Sequence, residues 1–135
     1  MRGKNVAVIV AIDVSELQIY YQKHRKVSSV HFNSSYRSLY ANRISYYFDL
    51  KGPSFTLTTA CSSSATALLQ AVAGIKSDQF DAAIVAASNI CLSPTWAQAV
   101  NNLGILSPDG RSKFLDTKAN GYARAETASV VLCRR

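Results

Sequence analysis

The sequence predicts an α/β domain in which helices cover both faces of a mostly parallel sheet. Short β-branched apolar runs alternate along the chain with segments whose apolar residues recur at helical spacing. The first run, residues 6–12, is apolar at every position, as expected for a strand covered on both faces. The length of 135 residues is enough for about one domain with a core of its own.

In the first half of the chain, capping and turn residues mark where elements begin and end. Ser15 can cap a short helix through about Gln22, with Glu16 in its first turn. Leu39, Tyr40, Ile44 and Tyr47 recur at helical spacing before a Gly-Pro turn signal at residues 52–53. The predicted elements are a strand at 6–12, helices at 15–22 and 36–48, a loop at 23–35, and a strand at 54–59.

The second half follows the same alternation. An apolar stripe at helical spacing runs through residues 62–75, and its first turn contains only small residues. Pro94 suits the first turn of a helix, and Ser107-Pro108-Asp109-Gly110 is a turn signal. The predicted elements are helices at 62–75 and 94–101, a loop at 104–121, and strands at 82–87 and 128–133.

Composition and charge exclude several classes of protein. The longest apolar run has seven residues, far short of the ~20 needed to cross a bilayer. The net charge is +7, but clustered cations occur only at residues 23–26 and no nucleic-acid-binding motif accompanies them. We therefore expect neither a membrane nor a nucleic-acid partner, although a basic surface can attract an acidic protein.

The three cysteines are an odd number, widely spaced and without a Cys-x-x-Cys pair. This pattern argues against a disulfide framework or a zinc site and fits reduced thiols in the cytoplasm. Arg2 and Lys4 before the first apolar run imitate a secretory signal. However, Asp13 and Glu16 follow at once without a cleavage site, and a buried strand explains the run better.

Cys61 lies where a predicted strand is followed by a predicted helix. Its thiol would face the positive end of the helix dipole and unpaired backbone N–H groups, which favour the thiolate. The Cys61 N–H could also help to bind the oxyanion formed when a thioester carbonyl is attacked. The alternative is an inert cysteine that only packs, and position alone leaves both readings open.

Three segments resemble the β-ketoacyl synthase family. Residues 59–64 (TACSSS), preceded by residues 41–54 (ANRISYYFDLKGPS), resemble its nucleophile region. Residues 103–111 (LGILSPDGR) and 119–124 (ANGYAR) resemble its LG-hydrophobe-LSPDGR and NGY-x-R stretches. Order and spacing agree over residues 2–135. Among subtypes the chain is most similar to ketosynthase domains of animal-type fatty acid synthases and type I polyketide synthases.

The resemblance implies a thiolase-like fold, an αβαβα sandwich of two similar halves, of which residues 1–135 match the N-terminal half. It implies that Cys61 takes an acyl group from the phosphopantetheine arm of an acyl carrier protein. A malonyl unit then loses carbon dioxide and attacks the Cys61 thioester. The resemblance also implies that no cofactor is bound directly. Half of a two-lobed fold also leaves apolar surface exposed.

Two catalytic histidines and a supporting lysine belong to the family's second half, outside these 135 residues. His24 and His31 match no family motif and are not substitutes for them. The family also implies a homodimer whose interface uses the strand at 54–59. A catalytically incomplete module for dimerisation or carrier binding is the alternative function.

Several residues depart from the family pattern. Alanine or threonine replaces the usual glycine at five positions: Ala7, Ala11, Ala86, Ala87 and Thr127. Thr58 replaces a common aspartate, while Ser112 and Leu115 replace cysteine and phenylalanine. A Cβ where glycine served positive φ or close approach can cost about 1 kcal/mol, so altered substrate handling is expected.

Two other groups of residues are weaker candidates for chemistry. Asp109 and Asp116 are predicted to cap turns. Ser62, Ser63 and Ser64 have no nearby base, which argues against serine hydrolase chemistry.

Overall fold

The apolar run near the N-terminus forms an interior strand of a sheet in the computed structural model, which describes residues 1–24, 29 and 35–135. The described elements are β1 (Val6–Ala11), α1 (Glu16–His24), α2 (Ser38–Phe48), β2 (Ser54–Leu57), α3 (Ser63–Lys76), β3 (Ala82–Asn89), α4 (Pro94–Asn102) and β4 (Thr127–Arg134). Each predicted helix and strand is confirmed, with bounds within two residues. Most of the predicted loop at 23–35 lies outside the described residues.

The sheet has the strand order β2-β1-β3-β4. β1 pairs in parallel with β2 and with β3, so that Ile9 lies opposite Phe55 on one side and Val85 on the other. β4 runs antiparallel to β3, with Thr127 opposite Asn89. The chain therefore enters β4 at the end of the sheet where it left β3, which keeps α4 and the following loop at that end.

The two faces of β1 pack against different helices. All six residues of β1 are buried. Ala7, Ile9 and Ala11 contribute to a core with α3, whereas Val6, Val8 and Val10 contribute to a core with α2. Burying a side chain such as Ile9 contributes roughly 1.5–3 kcal/mol. This layering of helix, sheet and helix confirms the predicted αβα arrangement.

Apolar side chains are exposed on α3 and β4. On α3, Leu69 is 65% exposed, and Leu68 and Val72 are also exposed. On β4, residues 130–132 are all apolar and exposed. Exposed apolar surface of this kind was predicted for one half of a two-lobed fold. Among the described residues, no helix has the length and apolar character needed to span a membrane.

Candidate active site

Cys61 lies on a strained turn between β2 and α3. The preceding residue, Ala60, has φ +53°, a left-handed conformation that costs a residue with a Cβ roughly 1–2 kcal/mol. Ser63 stabilises this turn because its Oγ donates to the Ala60 carbonyl (2.7 Å) and accepts the Thr59 N–H (2.8 Å). Such strain is concentrated at functional sites, where the surroundings maintain it. The turn holds Cys61 exposed at the start of α3.

Thr58 anchors the turn to the end of β1. Its Oγ1 donates to the Ile12 carbonyl (2.5 Å) and accepts a hydrogen bond from Arg37 Nη1 (3.0 Å). Ser62, the residue before α3, donates from Oγ to the Thr59 carbonyl at 2.7 Å. Thr58, which stands where the family commonly has aspartate, thus forms two side-chain hydrogen bonds.

Cys61 lines a cleft of about 440 Å³ at the carboxyl ends of β1 and β3. In open α/β sheets, ligands bind at this end of parallel strands. The walls come from the segment after β1, the start of α3, the end of β3, α4 and the segment before β4. Trp96 and Val100 contribute from α4, and Tyr122 and Arg124 contribute from the segment before β4.

Two of the motif segments pair with each other beside the cleft. The Tyr122 N–H donates to the Ile105 carbonyl at 3.1 Å, and the Ser107 N–H donates to the Tyr122 carbonyl at 2.9 Å. Gly121 permits this approach: it has φ +128°, and a Cβ there would lie 2.5 Å from the Leu106 carbonyl carbon. The pairing places Tyr122 and Arg124 in the cleft wall.

Buried Glu16 and half-buried Arg124 form an ion pair in the cleft wall. Glu16 Oε1 accepts Arg124 Nη2, while Glu16 Oε2 accepts the N–H groups of Leu92 and Ser93, each at 2.8 Å. Burial alone would raise the pKa of Glu16. Its hydrogen bonds from Ser93, Arg124 and Leu92 outweigh that effect and hold the pKa below its ordinary value.

The three cysteines are free, with Cys61 and Cys91 exposed and Cys133 half-buried. Arg124 Nη2 also lies 3.3 Å from the Cys91 sulfur. Among the described residues, no three His, Cys, Asp or Glu side chains are close enough together to hold a metal ion. His31 and the side chain of His24 lie outside the described residues.

The weaker candidates have structural partners. Asp116 Oδ1 accepts the Lys118 N–H at 2.8 Å, as predicted for a residue that caps a turn, whereas Asp109 forms an ion pair with the Lys113 side chain. Ser62 and Ser63 use their hydroxyls to stabilise the turn that holds Cys61.

The replacements of glycine in the strands do not strain the backbone. Ala7, Ala11, Ala86, Ala87 and Thr127 all lie in regular strands, and none has a positive φ. Ala87 and Thr127 line the Cys61 cleft, so their side chains occupy space that glycine would leave empty.

The other replaced positions lie in the 103–126 loop. Ser112 Oγ accepts the Ala123 N–H at 3.1 Å. Leu115 has φ +58° and is 90% exposed.

Sequence reasoning missed part of the cleft. Trp96 and Tyr122 were not predicted to line a cleft, and Glu16 was predicted only as a residue of the first helical turn. All three line the cleft. Arg124 appeared in the sequence analysis only as part of the motif at residues 119–124. Its contact with Glu16 could not be predicted from local sequence, because the two residues are 108 positions apart.

Comparison with known families matches residues 1–135 to the β-ketoacyl synthase N-terminal domain. The chain belongs to the β-ketoacyl synthase family. The highly reducing polyketide synthase ACTTS3 of Alternaria alternata is 42% identical over 135 residues, covering 99% of this chain and 6% of that protein. The hybrid PKS-NRPS synthetase lepA of Aspergillus flavus is 53% identical over 95 residues, covering 70% of this chain and 2% of that protein.

Solved ketosynthases share the fold. The ketosynthase from module 6 of the Bacillus subtilis bacillaene synthase has a TM-score of 0.84 at 30% identity, covering 99% of this chain and 22% of that one. The oxazolomycin ketosynthase domain OzmH KS7 of Streptomyces albus has a TM-score of 0.85 at 31% identity, covering 98% and 24%. These neighbours confirm the thiolase-like fold. This ketosynthase chain spans less than a quarter of the length of each of these proteins.

Proposed function

We propose that this chain is the cysteine-bearing, N-terminal half of a ketosynthase domain, and that Cys61 accepts the acyl chain during decarboxylative Claisen condensation. The observation that carries the proposal is the exposed Cys61 on a strained, hydrogen-bonded turn inside a cleft. The similar proteins are polyketide synthases, which favours a polyketide product. Fatty acid synthesis is the alternative product class.

The first step is a thioester exchange. The Cys61 thiolate attacks the carbonyl carbon of an acyl chain carried on a phosphopantetheine sulfur, forming a new C–S bond and a tetrahedral oxyanion. When the intermediate collapses, the bond to the phosphopantetheine sulfur breaks. That sulfur leaves as a thiolate and takes up the proton that Cys61 lost. The N–H group of Cys61 is suited to stabilise the oxyanion, whereas the N–H groups of Ser62 and Ser63 donate to the carbonyls of Thr59 and Ala60.

The second step forms the carbon–carbon bond. A malonyl thioester loses carbon dioxide, and its carbanion attacks the acyl carbon on Cys61, which releases the Cys61 thiolate and the β-ketoacyl product. The family resemblance assigns charge stabilisation in this step to histidines outside residues 1–135. We therefore expect these 135 residues alone to be acylated but not to condense.

The proposed partners are an acyl carrier protein and a second copy of the chain. The net charge of +7 suits an acidic partner. β2 is an edge strand of the described sheet, and an edge strand can pair with another chain. We propose a homodimer through this edge, and a cytoplasmic location, which the free cysteines support.

Acylation can be tested by mass spectrometry. The chain is incubated with an acyl-carrier thioester, with and without malonyl-carrier. Wild type and Cys91→Ala are expected to gain one acyl group, whereas Cys61→Ala gains none. Cys91 is a matched control because it is also exposed. Equal acylation of Cys61→Ala would overturn the assignment, and a β-ketoacyl product from wild type would refute the need for the missing histidines.

A second candidate function is a non-catalytic module for dimerisation or carrier binding. It is favoured by the side chains of Ala87 and Thr127, which reduce the free volume of the cleft. This alternative predicts that wild type binds the carrier without being acylated. In that case, replacing both residues by glycine would restore acylation if the cleft volume is the cause.

A further inference from the structure

We propose that Glu16 and Arg124 are positioning residues that fix two walls of the Cys61 cleft. The first wall is α4, and the second is the segment that leads into β4. The proposal rests on the proposed acylation of Cys61 and specifies which side chains shape the cleft for the acyl donor.

Glu16 joins three parts of the chain through one carboxylate. It is the first residue of α1, and its side chain is only 3% exposed. One oxygen accepts the backbone N–H groups of Leu92 and Ser93, just before α4, and the other accepts Arg124. Buried carboxylates are retained where hydrogen bonds and an opposite charge compensate for lost hydration, and Glu16 has both.

α4 depends on these bonds because apolar packing holds it only weakly. None of its side chains is fully buried. Ser93, whose N–H donates to Glu16, is the N-cap of α4 and accepts the Trp96 N–H on its Oγ at 3.2 Å. Two hydrogen bonds therefore link Glu16 to Trp96, which lines the cleft.

Arg124 depends on Glu16 for its charge balance. Its side chain is 17% exposed, and Nη2 donates to Glu16 and contacts the Cys91 sulfur. Nη1 is buried without a hydrogen-bond partner among the described residues. Removing the Glu16 charge would leave this half-buried guanidinium without its carboxylate partner, which destabilises its local arrangement.

The hydrogen bonds of this pair connect cleft walls and do not go to the Cys61 sulfur. The lowered pKa keeps Glu16 ionised at neutral pH, so the pair is intact under working conditions. The expected effect of breaking it is a looser cleft around an unchanged nucleophile.

The test uses Trp96, the only tryptophan in the sequence, as a reporter of the α4 wall. Acrylamide quenching of its fluorescence is measured on the 135-residue chain under native conditions. Glu16→Gln and Arg124→Gln are expected to raise the quenching constant at least twofold. The control Asp78→Asn removes an exposed ion pair with Arg135 and is expected to leave quenching unchanged. A role limited to global stability would lower the unfolding midpoint without changing native-state quenching.

A kinetic measurement separates positioning from chemistry. In Glu16→Gln, the acyl-thioester concentration that gives half-maximal acylation is expected to rise at least fivefold. Iodoacetamide is small enough to reach Cys61 without contacting the cleft walls. The rate at which it alkylates Cys61 is therefore expected to stay within twofold of wild type. If Glu16→Gln does not fold, Arg124→Lys keeps the charge and removes the paired geometry, and the same shifts are expected.

The outcomes distinguish the two proposals. Failure of wild type to be acylated refutes the proposed function. The quenching result still tests whether Glu16 and Arg124 position the α4 wall, because it does not depend on acylation. Unchanged Trp96 quenching in the folded variants at both positions overturns the positioning proposal, whatever the acylation result. Equal acylation constants in wild type and the folded variants also overturn it.

Discussion

Replacing Ser63 by alanine tests whether the strained turn positions Cys61. The Ser63 side chain is buried in the turn, where its hydroxyl donates to the carbonyl of the strained residue, Ala60, and accepts the N–H of the residue before it, Thr59. Without that hydroxyl, the left-handed conformation of Ala60 is held only by the remaining bonds of Ser62 to Thr59 and of the Ser63 N–H to the Ala60 carbonyl. The turn is therefore expected to relax and move Cys61.

The magnitude follows from the bonds lost and the strain released. Two hydrogen bonds at about 1 kcal/mol each are lost, so unfolding becomes easier by about 2 kcal/mol. Relaxation of Ala60 returns roughly 1 kcal/mol of strain, which leaves a net loss of about 1 kcal/mol. At this chain length the midpoint of thermal unfolding should fall by about 4 °C. Acylation of Cys61 should fall more than tenfold, because the nucleophile moves.

Circular dichroism gives the unfolding midpoint, and intact-mass spectrometry gives the acylation rate. Ser77→Ala is the matched control, because Ser77 also bonds a backbone carbonyl of α3 but lies at the exposed, far end of that helix. It should keep the wild-type acylation rate. A Ser63→Ala variant that is acylated as fast as wild type would refute the reasoning that the turn positions the nucleophile.

The remaining predictions concern acid stability, backbone fit and solubility. Because its pKa is lowered on folding, Glu16 contributes stability above its ordinary pKa of 4.5. This contribution is lost as the pH falls through the lower folded value, so a denaturant series from pH 6 to pH 3 should show a steeper loss in wild type than in Glu16→Gln. Gly121→Ala should lower the free energy of unfolding by more than 2 kcal/mol, because the added Cβ would clash with the backbone of Leu106. Gly110→Ala should lower it by only about 1 kcal/mol, because a Cβ there meets open space. Equal losses for the two variants would contradict this expectation. Leu69→Lys should reduce aggregation in light scattering without lowering the unfolding midpoint by more than 2 °C, and unchanged aggregation would show that this α3 surface is not responsible.

The fold was largely predictable because its local signals agree with its packing. β1 is apolar at every position, and it is buried on both faces. Pro94 predicted the start of α4, and the structure confirms a helix that begins there, with Ser93 as its cap. The direction of β4 was not predictable, because strand composition does not encode whether a chain returns to the same end of the sheet. That direction depends on the path of the 103–126 loop.

The position of Cys61 between a strand and a helix was predictable, whereas the residues around it in the cleft were only partly so. A cysteine between a strand and a helix is a local signal, and the family motif strengthened it. The pairing of Glu16 with Arg124 is a contact between distant segments, and either residue alone is typical of an exposed turn or helix start. The left-handed φ of Ala60 had no sequence signal either, because alanine does not favour that conformation.

Two of the departures from the family pattern, Ala87 and Thr127, therefore act on the cleft rather than on the fold. Ala87 and Thr127 lie in regular strands, and their backbones need no glycine. Both side chains lie in the wall of the same cleft as Cys61, so each added carbon reduces the space for an acyl group. Backbone strain would have lowered the stability of the folded chain without discriminating between acyl groups. Reduced volume instead discriminates by size, because a pocket rejects a larger group by a clash that a smaller group avoids. We expect wild type to prefer short, unbranched acyl donors and the Ala87→Gly, Thr127→Gly double variant to accept longer or branched ones. Because glycine weakens a strand by roughly 0.5–1 kcal/mol at each position, the unfolding midpoint of the double variant should fall by about 4–8 °C.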